Sequence, residues 1–168
     1  QGHRVKRIMD LLAARDEFSF GDMNRINTDA GYNHVAGMNF LHYVIEAATE
    51  AEELKRSIFQ ELDRICRPET PLATNTSTIP ITRLAQNTSP PDRVLGLHFF
   101  GPVPLMKLVE VVKGEMTSPE IFERGVDFVE SLGKTPVRVK RDIPGFVMNR
   151  IFSAALREAV DLVDQGIA

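Results

Sequence analysis

Two ionisable side chains stand alone inside apolar runs of this sequence, and their pairing is the first chemistry to weigh. His98 lies in Leu97-His98-Phe99-Phe100, with no other polar side chain between Val94 and Phe100. Glu110 lies in Leu108-Val109-Glu110-Val111-Val112, with strand formers on both sides. A Gly101-Pro102-Val103-Pro104 break separates the two runs. Burying either group unpaired is costly. Two groups of opposite type on neighbouring runs therefore suggest each other as partners. A carboxylate on one imidazole nitrogen fixes the tautomer, raises the basicity and leaves the other nitrogen free to take a proton. The same residues also read as a satisfied core histidine beside an unrelated edge glutamate.

Other candidates sit at the ends of elements. Asn75-Thr76-Ser77-Thr78 follows a short strand pattern and precedes a helix pattern. In open α/β sheets ligands collect at that edge, where small hydroxyl and amide groups can bind a substrate oxygen or a ribose. Ser77 or Thr78 reads equally as a helix cap. Glu50 and Lys55 flank the start of the next helix back, and by themselves read as a solvated helix end. Asn149 stands among Phe146, Val147, Met148 and Ile151, where an amide wants a partner. His3, His34 and His42 have no metal-ligand spacing, and no HExxH, CxxC or GxSxG is present. There is no GxGxxG either, and no strand-turn-helix unit near the start of the chain to carry one.

The elements that must position these residues follow from apolar spacing. Residues 4–15 and 19–26 read as helices and 27–39 as loop. Residues 41–48 read as a buried strand. Thr49 then serves as N-cap with Glu52 as its capping-box partner, and Leu54, Ile58, Leu62 and Ile65 form the apolar stripe of a helix ended by Pro68. Residues 72–75 form a short strand, and 77–80 open a helix that runs to about Gln86, with Pro80 in its first turn. The two central runs follow as strands. Ser118-Pro119-Glu120 starts a helix with Ile121, Phe122, Val126 and Val129 inward and Gly133 at its close. Residues 135–140 form a strand, Pro144-Gly145 breaks the chain, and 146–163 form a long amphipathic helix. This alternation predicts an α/β sheet covered by helices on both faces.

The totals bound the rest. The 168 residues suit one domain or one domain plus a fragment, with 43% hydrophobic and 26% charged residues and a net charge of -3. Nothing in that balance points to nucleic acid or an acidic partner surface. The single cysteine, Cys66, excludes an internal disulfide and reads as inert packing. No apolar run is long enough to predict a membrane span, and no signal peptide is visible. The chain opens QGHRVKR without Met, which suggests a piece of something longer, and a cytoplasmic location is expected.

Four segments taken together are similar to the NAD-dependent 3-hydroxyacyl-CoA dehydrogenases: VIEAATEAEELKRSIFQELD, LATNTSTIPITRLA, VLGLHFFGPVPLMKLVEVVKG and LGKTPVRVKRDIPGFVMNRI. The resemblance runs from residue 42 to residue 168. It implies a Rossmann-type NAD domain over 42–143, incomplete because its first βαβ phosphate-loop unit is lacking, and the first helix of a C-terminal helical dimerisation domain over 144–168. It also implies NAD as cofactor, an acyl-CoA substrate, a homodimer and a place in fatty-acid β-oxidation or a related acyl-CoA pathway. His98 matches the general base, Glu110 its orienting carboxylate, Ser77 the hydroxyl at the substrate oxygen and Asn149 an amide completing the site. Glu50, Lys55 and Asn75 fall on the cofactor side. Gly101 stands where most members carry asparagine. Residues 1–41 do not look like the family; they faintly resemble a stretch of penicillin-acylase-type hydrolases without the N-terminal nucleophile. A fusion, a fragment or a non-catalytic assembly module derived from the family are the alternatives.

Overall fold

The computed structural model describes residues 43–168. The expected helices at 4–15 and 19–26, the 27–39 loop and the first two residues of the expected 41–48 strand lie outside the described residues. Within them the chain forms β1 (Val44–Glu46), α1 (Glu52–Ile65), β2 (Leu72–Thr74), α2 (Ile81–Ala85), β3 (Val94–Phe99), β4 (Leu108–Val112), α3 (Pro119–Ser131), β5 (Thr135–Val139) and α4 (Met148–Asp164).

The five strands lie side by side in chain order. β1, β2 and β3 are parallel, β4 runs antiparallel to β3, and β5 is parallel to β4. Alternation along each strand separates two cores. Leu72, Val94 and Val112 pack on one face with Phe59 and Leu62 of α1 and with Ile81 and Leu84 of α2. Ala73, Leu95, Leu97, Val109 and Val111 pack on the other with Ile121, Phe122, Val126 and Val129 of α3. The result is an α/β sheet with helices on both faces, as the alternation predicts; it is Rossmann-like, as the resemblance implies, and mixed, because β4 runs antiparallel to β3.

Several element ends differ from expectation, each for a local reason. β1 stops at Glu46, because the Glu46 carboxylate turns back to accept the Ala48 N–H at 2.5 Å and draws the backbone off the sheet. The Thr49–Glu52 capping box does not form. Ala51 is the N-cap, without a side-chain bond, and Glu52 and Glu53 supply the favourable first-turn charge. The inward face of α1 is Lys55, Ile58, Phe59 and Leu62, so Leu54 is left 44% exposed. α2 is shorter than the expected helix over 77–86: Pro80 caps it, and Ser77 and Thr78 belong to the preceding loop. At α3 the expectation holds, with Ser118 Oγ accepting the Ile121 N–H at 3.2 Å.

α4 begins at Met148 rather than at residue 146. Phe146 sits at φ 47°, in the left-handed region that bulky side chains rarely adopt. Its ring is nonetheless buried, against the first core and beside His98. No residue of α4 is buried among the described residues. Ile151, Phe152, Leu156, Val160 and Val163 of that helix are all exposed.

Candidate active site

The antiparallel register of β3 and β4 sets His98 and Glu110 directly opposite each other. Their side chains share one face of the sheet, and His98 Nδ1 lies 2.7 Å from Glu110 Oε2. Glu110 is fully buried and His98 nearly so. The Phe100 and Phe146 rings flank the imidazole, with centroids 4.5 and 5.6 Å away.

Glu110 uses its second oxygen as well. Oε1 accepts the backbone N–H groups of Val147 and Met148, both at 2.9 Å. These are orphan donors at the start of α4, where the helix dipole also favours negative charge. Burial by itself would raise the Glu110 pKa. The bond to His98 and the two N–H groups outweigh it and hold the carboxyl below its usual range. The carboxylate is therefore ionised at neutral pH and acts only as an acceptor. Nδ1 must then carry the proton it shares with Oε2, which leaves Nε2 with its lone pair. Nothing among the described residues hydrogen-bonds Nε2.

A second cluster occupies the carboxyl ends of β1 and β2. Glu50 Oε1 gathers the loop after β2: the Thr76 hydroxyl at 2.5 Å, the Ser77 and Thr78 N–H groups at 3.0 and 3.1 Å, and the Thr78 hydroxyl at 2.9 Å. Burial raises the Glu50 pKa, but these donors overcome it and the net shift is downward. Ser77 and Thr78 are thus held by Glu50 and do not cap a helix. Asn75 Oδ1 accepts the Phe99 N–H at 2.9 Å, which ties this loop to the residue after His98.

Lys55 is not at a solvated helix end. It is 1% exposed, and its ammonium bonds both oxygens of Glu46, at 2.7 and 2.9 Å, and the Ala48 carbonyl at 3.0 Å. Thr74 Oγ1 donates to Glu46 Oε2 at 2.7 Å. Sequence reasoning missed Glu46. The signal was available: a lone carboxylate in the VIEAA run, of the same kind that singled out His98 and Glu110. It also missed the Val147 and Met148 donors, which are backbone groups and carry no side-chain signature.

The structure therefore gathers His98 and Glu110 into one pair, to which the start of α4 brings Asn149 one residue past Met148. Glu50, Lys55, Asn75 and Ser77 cluster beside it at the sheet edge. A Cβ at Gly101 would meet nothing within 4 Å, so that position is open.

The chemistry of the second cluster can be tested against a dinucleotide. Glu50 keeps its side chain 39% exposed and Ser77 is partly exposed. An anionic oxygen and a hydroxyl suit ribose hydroxyls and a carboxamide. Pyrophosphate would need cations or a glycine-rich loop. Lys55 is already committed to Glu46, and the sequence has no GxGxxG. The described residues fit the nicotinamide half of NAD.

Residues 4–143 match the family model described as "3-hydroxyacyl-CoA dehydrogenase, NAD binding domain". The chain is 40% identical over 146 residues to 3-hydroxybutyryl-CoA dehydrogenase of Clostridioides difficile, covering 87% of this chain and 50% of that protein. It is 43% identical over 163 residues to the mitochondrial hydroxyacyl-coenzyme A dehydrogenase of Rattus norvegicus, covering 97% of this chain and 51% of that one. The crystal structure of 3-hydroxybutyryl-CoA dehydrogenase from Escherichia coli K12 superposes with a TM-score of 0.77 at 36% identity, covering 99% of this chain and 35% of that chain. The chain thus spans about half the length of the curated relatives it matches. The family match begins at residue 4, so it takes in most of the segment read above as unlike the family.

Proposed function

The chain belongs to the 3-hydroxyacyl-CoA dehydrogenase family, whose cofactor is NAD, and from that premise we propose that it carries the base and the nicotinamide-side edge for oxidising a 3-hydroxyacyl-CoA to the 3-ketoacyl-CoA. One observation carries the reading: the 2.7 Å contact between His98 Nδ1 and a Glu110 carboxylate that is buried and ionised. That contact leaves Nε2 as the acceptor for the 3-hydroxyl proton. NAD, when bound, supplies the hydride acceptor. As the C3–H bond breaks, the O–H bond breaks with it, and the proton passes to Nε2. Glu110 stabilises the imidazolium that forms, and a positioned base of this kind contributes roughly 10²–10⁴-fold.

Ser77 and Asn149 are the groups we assign to the substrate oxygen, and Glu50 and Asn75 those facing the cofactor ribose and carboxamide. We take residues 42–143 as the partial NAD domain and 144–168 as the start of the helical domain. In this reading the reaction serves fatty-acid β-oxidation or a related acyl-CoA pathway. Among the described residues no helix is long and apolar enough to cross a membrane.

The test is turnover of acetoacetyl-CoA with NADH, followed by nicotinamide absorbance, alongside calorimetry of NADH binding. The absence of both turnover and NADH binding would overturn the assignment. A second reading, a non-catalytic assembly module, is favoured by the exposed Ile151, Phe152, Leu156, Val160 and Val163 of α4. Burial of that face in a homodimer is also what the enzyme reading calls for. Sedimentation as a monomer, with the face still exposed, would count against dimerisation in either case.

A further inference from the structure

After β5 the chain crosses to α4, and this crossover is held at two places. At its far end the Phe146 ring is buried beside His98, and the Val147 and Met148 N–H groups donate to Glu110 Oε1. At its near end the Asp142 carboxylate is drawn onto α2. Its Oδ2 accepts the Thr82 N–H and the Thr82 hydroxyl, both at 2.8 Å. The Thr82 hydroxyl oxygen in turn accepts the Glu115 N–H at 3.1 Å, so the loop after β4 joins the same knot.

α2 has a donor for Asp142 to take. Its N-cap is Pro80, which offers no side-chain acceptor, and the Thr82 N–H is one of the first-turn donors without an intrahelical partner. Asp142 supplies the acceptor from 60 positions away. The arrangement has a cost, since Asp142 Oδ1 is buried and bonds nothing among the described residues. Ile143, Pro144 and Gly145 alone separate the two holds. The Phe146 N–H closes this short turn on the Ile143 carbonyl at 3.0 Å, with Gly145 at φ 76° and Phe146 at φ 47°. A phenylalanine in the left-handed region persists only where its surroundings over-determine it.

We propose that Asp142 is a positioning residue for the imidazole base: by pinning the crossover to α2 it fixes where Phe146 turns, and so keeps the Val147 and Met148 N–H groups on Glu110. Glu110 in turn holds His98. The catalytic meaning of this chain of contacts rests on the reading of His98 as the base; the pin itself does not.

Asp142→Ala removes the pin. Amide exchange of the chain without ligand, followed by NMR, compares Val147 and Met148 with Val109 and Val111 of the core, which report global opening. In the variant Val147 and Met148 should exchange about tenfold or more faster beyond any rise in the core, the worth of one lost bond to a charged group. The Glu110 carboxyl, titrated by carbon NMR in the same chain, should ionise at higher pH than in the parent, because its donors at Oε1 loosen. Turnover should fall as well. Asp142→Asn keeps an acceptor oxygen for both Thr82 donors and should restore all three. A role confined to capping α2 predicts faster exchange at Gln86, whose N–H closes that helix on the Thr82 carbonyl, with Val147 and Met148 moving no more than the core.

That last pattern overturns the proposal. So does a Glu110 titration unchanged or lowered in Asp142→Ala, or a failure of Asp142→Asn to restore it. Should Asp142→Ala not fold, Thr82→Val decides: it removes the hydroxyl donor and keeps the N–H, and exchange and titration must move in the same directions. A parent chain without turnover removes the reading of His98 as the base, while exchange and titration still decide the pin.

Discussion

Glu110→Gln probes the centre of the site with the smallest change of shape. The carboxylate accepts on both sides: His98 Nδ1 at Oε2, and the Val147 and Met148 N–H groups at Oε1. An amide can accept on one side only. If its oxygen faces His98, its NH₂ is set against two backbone donors. If its oxygen takes the two N–H groups, its NH₂ faces Nδ1, and the imidazole must shift its proton to Nε2. The first arrangement leaves buried donors unmet; the second removes the base. Each lost bond to a charged group is worth about 1.5–3 kcal/mol, so the variant should be destabilised by about 3 kcal/mol at neutral pH. Turnover should fall roughly 100-fold or more, because the tautomer is wrong or the geometry is lost. The pH dependence has a definite sign. The Glu110 pKa is lowered in the folded state, since the bonds from His98 and the two N–H groups outweigh burial. Its contribution is therefore present above the ordinary glutamate value near ~4.3 and disappears as pH falls through the lower folded value. Urea denaturation of parent and variant across that range measures it, with the two curves converging in acid. A variant as stable as the parent at neutral pH, turning over at a similar rate, would refute the reasoning.

Three further outcomes are expected. His98→Gln should lower turnover by roughly 10²–10⁴-fold while NADH binding, measured by fluorescence, stays as in the parent; loss of binding would mean that His98 holds the cofactor edge together. Gly96→Ala puts a Cβ 2.9 Å from both Val112 Cβ and Ile81 Cδ1, and because the Val112 branch point cannot swing away, urea denaturation should show a loss of about 1–3 kcal/mol. Lys134 Nζ donates to the Val103 and Met106 carbonyls, both at 2.7 Å, so Lys134→Met should speed amide exchange at Leu105 and Met106 while global stability changes by less than about 1 kcal/mol; unchanged exchange would show that the loop is held otherwise.

What could be read directly from the sequence was set by cost and by period. An imidazole alone in one apolar run and a carboxylate alone in the next had few affordable partners other than each other. The alternation of Val94, Leu95 and Leu97, and of Val109, Val111 and Val112, follows strand period and allotted each residue to one of two cores. The alternation of helix and strand patterns was likewise sufficient for the sheet and its two covered faces.

The tertiary structure decided the rest, because a side chain's partner depends on which distant segment comes within about 3 Å of it. Only the register of β3 on β4 placed His98 opposite Glu110, since a slip of one residue would have sent the two to opposite faces. Lys55 looked solvated beside acidic neighbours, yet the fold buried it on Glu46, whose carboxylate Thr74 of β2 also holds. Thr49 had a capping pattern that the turn around Ala48 overrode, and Ser77 and Thr78 went to Glu50, a residue 27 and 28 positions away. Local pattern determines which groups need a partner, and only the packing of remote segments supplies one.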